Sequence, residues 1–256
     1  MKPTGLKIVG NGFLARHLRA ITPRHTDAVV LAAGVSWASH TSAADFARET
    51  DLVERTIREC RAAGRRLVFF STASTGMYGT VNGPGREDVP VTPCTPYGAH
   101  KLALEERLRA CGVEFLALRL GHLVGPGQPP HQLLPTLLRQ LREGAVFLHR
   151  GATRDLIHID DVVTVVDRLL AAGLAHETVN VASGTAVPVE RIVDHLEART
   201  GLTARRVHLD LGRHHTISTD KLRALVPEVD AMGFGPDYHR GVLDDFLAAS
   251  ASTAAP

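Results

Sequence analysis

Tyr97 and Lys101 are the two side chains whose types and spacing best suit proton chemistry. They stand four residues apart in Thr95-Pro96-Tyr97-Gly98-Ala99-His100-Lys101, and a helix begun at Pro96 would project both from one face of its first turn. An ammonium beside a phenol favours the phenolate, so Lys101 is expected to lower the Tyr97 pKa and make the phenol a proton donor and acceptor near neutrality. Tyr-x-x-x-Lys alone more often marks an exposed aromatic and a solvated lysine. The rest of the chain decides between these readings.

A second stretch is suited to holding an anion. Gly10-Asn11-Gly12-Phe13-Leu14-Ala15 follows the short apolar run Leu6-Lys7-Ile8-Val9 and precedes the amphipathic Arg16 to Ile21. In such a strand, turn and helix the first glycine permits the tight turn, the second lets a pyrophosphate approach the backbone, and Ala15 lets helix and strand pack closely. Asp27 to Gly34, with Ala32-Ala33-Gly34 at its end, reads as the next buried strand. It comes too early: a dinucleotide site normally has another strand there, with an acidic residue roughly 20 positions after the glycines for the adenosine ribose. Only the loop Thr22 to Thr26 intervenes, so the adenosine side is abbreviated.

Helix and strand signals then alternate. Ala43 to Ala63 has apolar residues at helical spacing and a stop at Gly64, and Leu67 to Phe70 is a strand running into the hydroxyl-rich Ser71 to Gly79. Ligands bind at such carboxyl ends in open α/β sheets, although serines and threonines also serve turns. After the Tyr97 helix, the expected elements are a strand at Glu114 to Leu120, helices at Leu133 to Leu141 and Val162 to Leu174, a strand at Thr178 to Ala182, a helix at Val189 to Thr200 and a strand at Arg205 to Leu209. Asp160 or Asp161 is placed to cap the helix at Val162. The alternation predicts an α/β fold, a Rossmann-like doubly wound parallel sheet with right-handed crossovers.

The 256 residues suffice for one large domain or a dinucleotide-binding domain with a small partner, and the net charge of +2 comes without a basic tract. Nucleic acid is not an expected partner. Cys60, Cys94 and Cys111 have neither C-x-x-C spacing nor an even number, so no disulfide framework or metal site is expected. No leader or membrane-length apolar run is evident, which gives a cytoplasmic expectation without a membrane partner. Ala248 to Pro256 lacks apolar periodicity and is expected to be a disordered tail.

Taken in order, these landmarks make the chain resemble the extended short-chain dehydrogenase/reductase superfamily, in particular its NAD-dependent epimerase/dehydratase group acting on nucleotide sugars. The resemblance runs from about Leu6 to Phe246. Its landmarks are the glycine turn, Leu31-Ala32-Ala33, the loop ending Met77-Tyr78-Gly79, Pro96 to Lys101, Leu118-Arg119-Leu120 before Gly125-Pro126, and Arg154-Asp155-Leu156-Ile157-His158-Ile159-Asp160-Asp161. It implies a nucleotide-binding domain over 6–126, joined by 159–182, and a small α+β substrate-binding subdomain over 127–158 and 183–247.

The resemblance also implies roles. Tyr97 would be the acid/base, Lys101 would hold the nicotinamide ribose and support Tyr97, and Ser74 or Thr72 would bond the reacting oxygen, with Ser74 preferred. Gly10, Asn11, Gly12, Phe13, Leu14, Ala32, Ala33, Gly34, Tyr97 and Lys101 would line an NAD or NADP site. Arg154 and Arg213 would contact the substrate diphosphate, a task suited to guanidinium geometry, with a salt bridge from Arg154 to Asp155, Asp160 or Asp161 as the alternative. His122 would stand where many relatives carry a substrate-contacting Asn.

There are departures from the family pattern. The glycine motif is one residue tighter than Gly-x-x-Gly-x-x-Gly, and the segment for the second and third strands is absent. Arg16, Arg24 and His25 could face a 2′-phosphate, which leans towards NADP. Thr75-Gly76 lacks the carboxylates of the 4,6-dehydratases, which disfavours dehydration. The implied activity is reduction of a keto sugar on a nucleotide, with epimerisation as the alternative and a cofactor-free binding protein or redox-neutral catalyst as a reading from another class. A homodimer joined through Ala43 to Ala63 and Tyr97 to Ala110 is expected.

Overall fold

Strands buried on both faces read as unbroken apolar runs, and such runs form the centre of this protein. The computed structural model describes residues 5–35, 41–79, 83–212 and 214–253. The first half runs β1 (Lys7–Val9), α1 (Phe13–Leu18), β2 (Ala28–Leu31), α2 (Ala43–Ala63), β3 (Arg66–Thr72), α3 (Thr75–Tyr78), α4 (Pro96–Ala110) and β4 (Phe115–Leu120). The second half runs β5 (His122–Val124), α5 (Leu133–Arg142), β6 (Ala145–Arg150), β7 (Thr153–Arg154), β8 (Leu156–His158), α6 (Ile159–Ala171), β9 (Glu177–Val181), β10 (Val187–Pro188), α7 (Val189–Thr200), β11 (Arg205–Leu211), α8 (Asp220–Leu225) and α9 (Tyr238–Thr253).

The central sheet is parallel throughout, in the order β1-β2-β3-β4-β9. Alternate side chains go to opposite faces. Val30, Val68, Phe70, Leu116 and Leu118 pack with Leu18 of α1 and with Val162, Val166 and Leu169 of α6. Val29, Leu31, Leu67, Phe69 and Ala117 pack with Val53 and Ile57 of α2 and with Leu104 and Leu108 of α4. The doubly wound architecture read from the sequence is therefore present, and the sheet ends at β1, with no strand beyond it among the described residues.

Local signals fix the two helices that matter most for the site. The Ser42 side chain and Asp45 form a reciprocal capping box at the start of α2, and Gly64 at φ 59° stops it. Pro96 opens α4, and Thr95 Oγ1 accepts from Gly98 N at 3.1 Å. A Cβ at position 98 would come within 2.7 Å of Met77 N, so glycine there lets the first turn of α4 lie against α3. That contact sets where Tyr97 sits.

A second core gathers α5, α7 and α9 around Val146 and Leu148 of β6. Beside it β6 pairs with β11, so the expected Arg205 strand forms outside the central sheet. Two expectations are corrected. The segment from Ala248, expected to be disordered, continues α9 to Thr253, with Ser250 Oγ donating back to Phe246 O at 2.8 Å; the periodicity lies upstream, in buried Val242, Leu243 and Phe246. Residues 254–256 lie outside the described part. The helix expected from Val162 begins at Ile159, and its cap is His158, whose Nδ1 accepts from Asp160 N at 3.3 Å; Asp160 and Asp161 occupy the first turn, where their charge suits the helix dipole.

Candidate active site

The carboxyl ends of β1 to β4 open into a cavity of about 660 Å³. Gly12, Phe13, Leu14, Ala32, Gly34, Thr72, Ser74, Tyr97, Lys101, His122 and Arg154 all line it. Gly10, Asn11 and Ala33 contribute differently. Gly10 adopts φ 129°, a conformation that disfavours any side chain, and a Cβ there would come within 2.5 Å of Ala32 O. The Asn11 side chain accepts from Arg19 at 2.8 Å, and Ala33 borders a neighbouring cavity. Arg213 lies outside the described residues.

Helical spacing brings Tyr97 and Lys101 to one side of α4. Lys101 Nζ stands 5.7 Å from the centre of the Tyr97 ring and donates to Phe70 O at 3.2 Å. Both candidate hydroxyls, Thr72 and Ser74, line the cavity beside Tyr97; Thr72 Oγ1 accepts from Ser74 N at 3.2 Å and draws the Tyr97 pKa down. Ser74, preferred from the sequence, stands at the N-cap position of α3 without a side-chain cap hydrogen bond.

Burial, the largest influence, pushes the Tyr97 phenol above its ordinary pKa; Lys101 and Thr72 pull down, while Glu49 pushes up. The pull of Lys101 has the direction expected, but burial outweighs it and the phenol does not come near neutrality. Glu49 was not foreseen. It projects from α2, is 3% exposed, and accepts from Lys101 Nζ at 2.6 Å on one oxygen and meets His100 Nε2 at 3.0 Å on the other. A Cβ at Gly34 would run into this carboxylate. The sequence does carry a signal: Glu49 lies on the same helical stripe as buried Val53, Thr56, Ile57 and Cys60.

A second buried group was also missed. Glu105 takes both Nε and Nη2 of Arg119 at 2.9 and 2.8 Å and the Ser71 hydroxyl at 2.6 Å. Arg119 continues to the Tyr78 hydroxyl at 3.1 Å, and Tyr78 donates to Asn180 at 2.7 Å. This chain joins α4, β3, β4 and β9 beneath the cavity floor, and with every member paired it gives the floor rigidity.

Arg154, lining the same cavity, makes no ion pair with a carboxylate among the described residues; its Nη1 donates to its neighbour's carbonyl, Thr153 O, at 2.7 Å. The salt bridge weighed as an alternative is absent because its partners are engaged elsewhere. Asp155 accepts from Ser183 N, Ser183 Oγ and Gly184 N, each at 2.8 Å. Asp160 pairs with His17 and His158, and Asp161 bonds the Tyr238 hydroxyl. Burial lowers the Arg154 pKa from its ordinary value, and burial together with Arg154 pushes His122 down to about 3. His122 is therefore neutral at physiological pH, and Arg154 is the cation this wall offers to an anion.

Two of the three residues behind the lean towards NADP face away from the cavity. Arg24 Nη1 and His25 Nε2 both meet Asp167 of α6 at 2.7 Å, at the amino end of β2 and so on the edge away from the cavity. Arg16 Nη2 donates to Gly127 O at 3.1 Å. A nicotinamide dinucleotide nevertheless fits the remaining features. Gly12 has open space where a Cβ would project, and the cavity runs unbroken from there to Tyr97 and Lys101. No group of three or more possible metal ligands occurs among the described residues, and no described helix is long and apolar enough to cross a membrane.

Comparison with known proteins gives the family and the fold. A family model described as the NAD dependent epimerase/dehydratase family matches residues 15–182. The chain is 28% identical over 208 residues to a dTDP-6-deoxy-L-talose 4-dehydrogenase (NAD(P)(+)) of Kitasatospora kifunensis, covering 76% of this chain and 65% of that one. It spans between about half and two thirds of the length of such curated relatives. Among solved structures, RMD from Pseudomonas aeruginosa complexed with NADPH superposes with TM-score 0.79 at 22% identity, over 97% of this chain and 98% of that one. MoeE5 in complex with UDP-glucuronic acid and NAD superposes with TM-score 0.81 at 22% identity, over 97% and 99%. At these identities the structural likeness is one of fold.

Proposed function

The chain belongs to the NAD dependent epimerase/dehydratase family, and from that premise we propose that it reduces a keto sugar carried on a nucleoside diphosphate, with Tyr97 as the proton donor. The observation that carries this reading is that Tyr97, Thr72 and Lys101 line one cavity together with Arg154, which has no carboxylate partner among the described residues.

A bound nicotinamide cofactor would supply the hydride. Gly10, Gly12 and Phe13 would hold its phosphates, with Lys101 near its ribose. In this account Arg154 binds the substrate's diphosphate, Thr72 hydrogen-bonds the carbonyl oxygen that becomes the alcohol, and Tyr97 gives that oxygen its proton. A phenol that keeps its proton suits the donor role. The neutral His122 ring adds a hydrogen-bonding group without adding charge.

An epimerase of the same fold is the second reading, favoured by curated relatives such as the "Uncharacterized UDP-glucose epimerase YtcB" of Bacillus subtilis. The two differ in cofactor stoichiometry. With a 4-keto sugar nucleotide and NADH or NADPH, a reductase oxidises one cofactor per product, whereas an epimerase interconverts sugar nucleotides without net oxidation. Tyr97→Phe should lower kcat by about 10²- to 10⁴-fold and leave KM for the sugar nucleotide within a few-fold. Unchanged turnover would remove Tyr97 from the mechanism.

A further inference from the structure

Glu49 is a carboxylate in an unusual place. It is 3% exposed on a helix whose other inward residues, Val53, Thr56, Ile57 and Cys60, are uncharged, and its two oxygens face two nitrogen donors from α4, Lys101 Nζ at 2.6 Å and His100 Nε2 at 3.0 Å. The arrangement is built from several sides: Phe46 stacks on the His100 ring with centroids 4.5 Å apart, Phe70 O takes a second Lys101 proton, and Gly34 leaves the room the carboxylate occupies. A buried carboxylate this close to an ammonium cancels most of its field at a third group nearby. We propose that Glu49 is a positioning residue for the proton-transfer pair, holding Lys101 in place and setting the net charge that Lys101 presents to Tyr97.

With Glu49 in place the phenol faces a nearly neutral pair and keeps its proton, ready to give it to a developing alkoxide. Without it the phenol faces a bare ammonium and ionises more readily. Burial raises the Tyr97 pKa most; of the groups beside it, Lys101 and Thr72 pull it down and Glu49 pushes it up. His100 acts on Glu49 from the same helix as Tyr97. The other ionisable residues lining the cavity are His122, His131, Arg154, Asp155 and His215, and on its own helix Arg48 pairs with Asp45. The inference takes its meaning from the reading of Tyr97 as proton donor, but its test needs neither substrate nor cofactor.

The test is a titration of the ultraviolet absorption of tyrosinate. The chain has three tyrosines, Tyr78, Tyr97 and Tyr238, and subtracting the Tyr97→Phe curve isolates Tyr97. In Glu49→Gln, an isosteric change, the Tyr97 midpoint should fall by about one to two pH units, or enter the folded pH range only in that variant. Lys101→Met should move it the other way, and adding Glu49→Gln to Lys101→Met should lower it again, so this second comparison decides the matter even where Glu49→Gln alone does not fold. A Tyr97 midpoint that Glu49→Gln leaves in place in both backgrounds, raises, or never brings into range overturns the proposal. Should the midpoint fall while Tyr97→Phe retains turnover, the inference stands and the catalytic reading fails.

Discussion

Arg154 is held in a half-buried wall by one backbone carbonyl, without a carboxylate to neutralise it among the described residues. Such a guanidinium is costly until an anion arrives. If Arg154 binds the diphosphate as proposed, Arg154→Met should leave the melting temperature unchanged or raise it while weakening nucleoside diphosphate binding by about 10- to 100-fold, the effect of one or two charge-assisted hydrogen bonds; thermal melts check the sign, and isothermal titrations with UDP and dTDP the size. At this scale the sequence is legible where partners are near neighbours. Tyr97 and Lys101 meet because four residues make one helical turn, whereas Lys101 and Glu49, or Ser71 and Glu105, meet only once helices have packed on strands.

Asp155 acts on whole elements. Its carboxylate, between β7 and β8, collects donors from the loop that leaves β9 and so fastens the second half of the chain to the end of the central sheet. Burial pushes its pKa up to about 7, against hydrogen bonds from Ser183, Gly184 and Thr185 that pull it down. A carboxyl whose folded pKa lies above its unfolded value contributes stability that is complete below the unfolded value and is lost as pH rises through the folded one. Relative to Asp155→Asn, the wild-type protein should thus lose up to about 4 kcal/mol between roughly pH 4 and pH 7, read by denaturant melts across that range; parallel curves would refute it. Elements with strong periodicity and caps were readable, as Ala43–Ala63 and Val189–Thr200 show. The strand Ala145–Arg150 was not, because only Val146 and Leu148 point inward and the exposed Phe147 blurs the alternation.

At the scale of the molecule, the sheet stops at β1, where related folds add strands that hold the adenosine. Arg24 and His25 meet Asp167 at the amino end of β2, away from the cavity, and Arg16 donates to Gly127 O. NADH and NADPH should accordingly bind with dissociation constants within about threefold of each other, a difference below about 0.7 kcal/mol. Titrations followed by cofactor fluorescence test this, and a preference beyond about thirtyfold would show a grip on the 2′-position that these residues do not provide. The overall architecture was legible because buried parallel strands announce themselves as apolar runs, while the second core, assembled from α5, α7 and α9, has no comparable local mark.

The last strand of the central sheet has a bearing on how the chain is made. β9 pairs with β4 through Leu116 and Glu177, so a chain emerging from a ribosome must carry much of a separate core between them before the sheet can close. Until Glu177 to Val181 arrive, β4 is an unprotected border with its amides and carbonyls open to any other extended segment. Chains cut short in that interval carry a sticky rim, and that rim, more than any loss of the cavity's residues, is what would send them into aggregates.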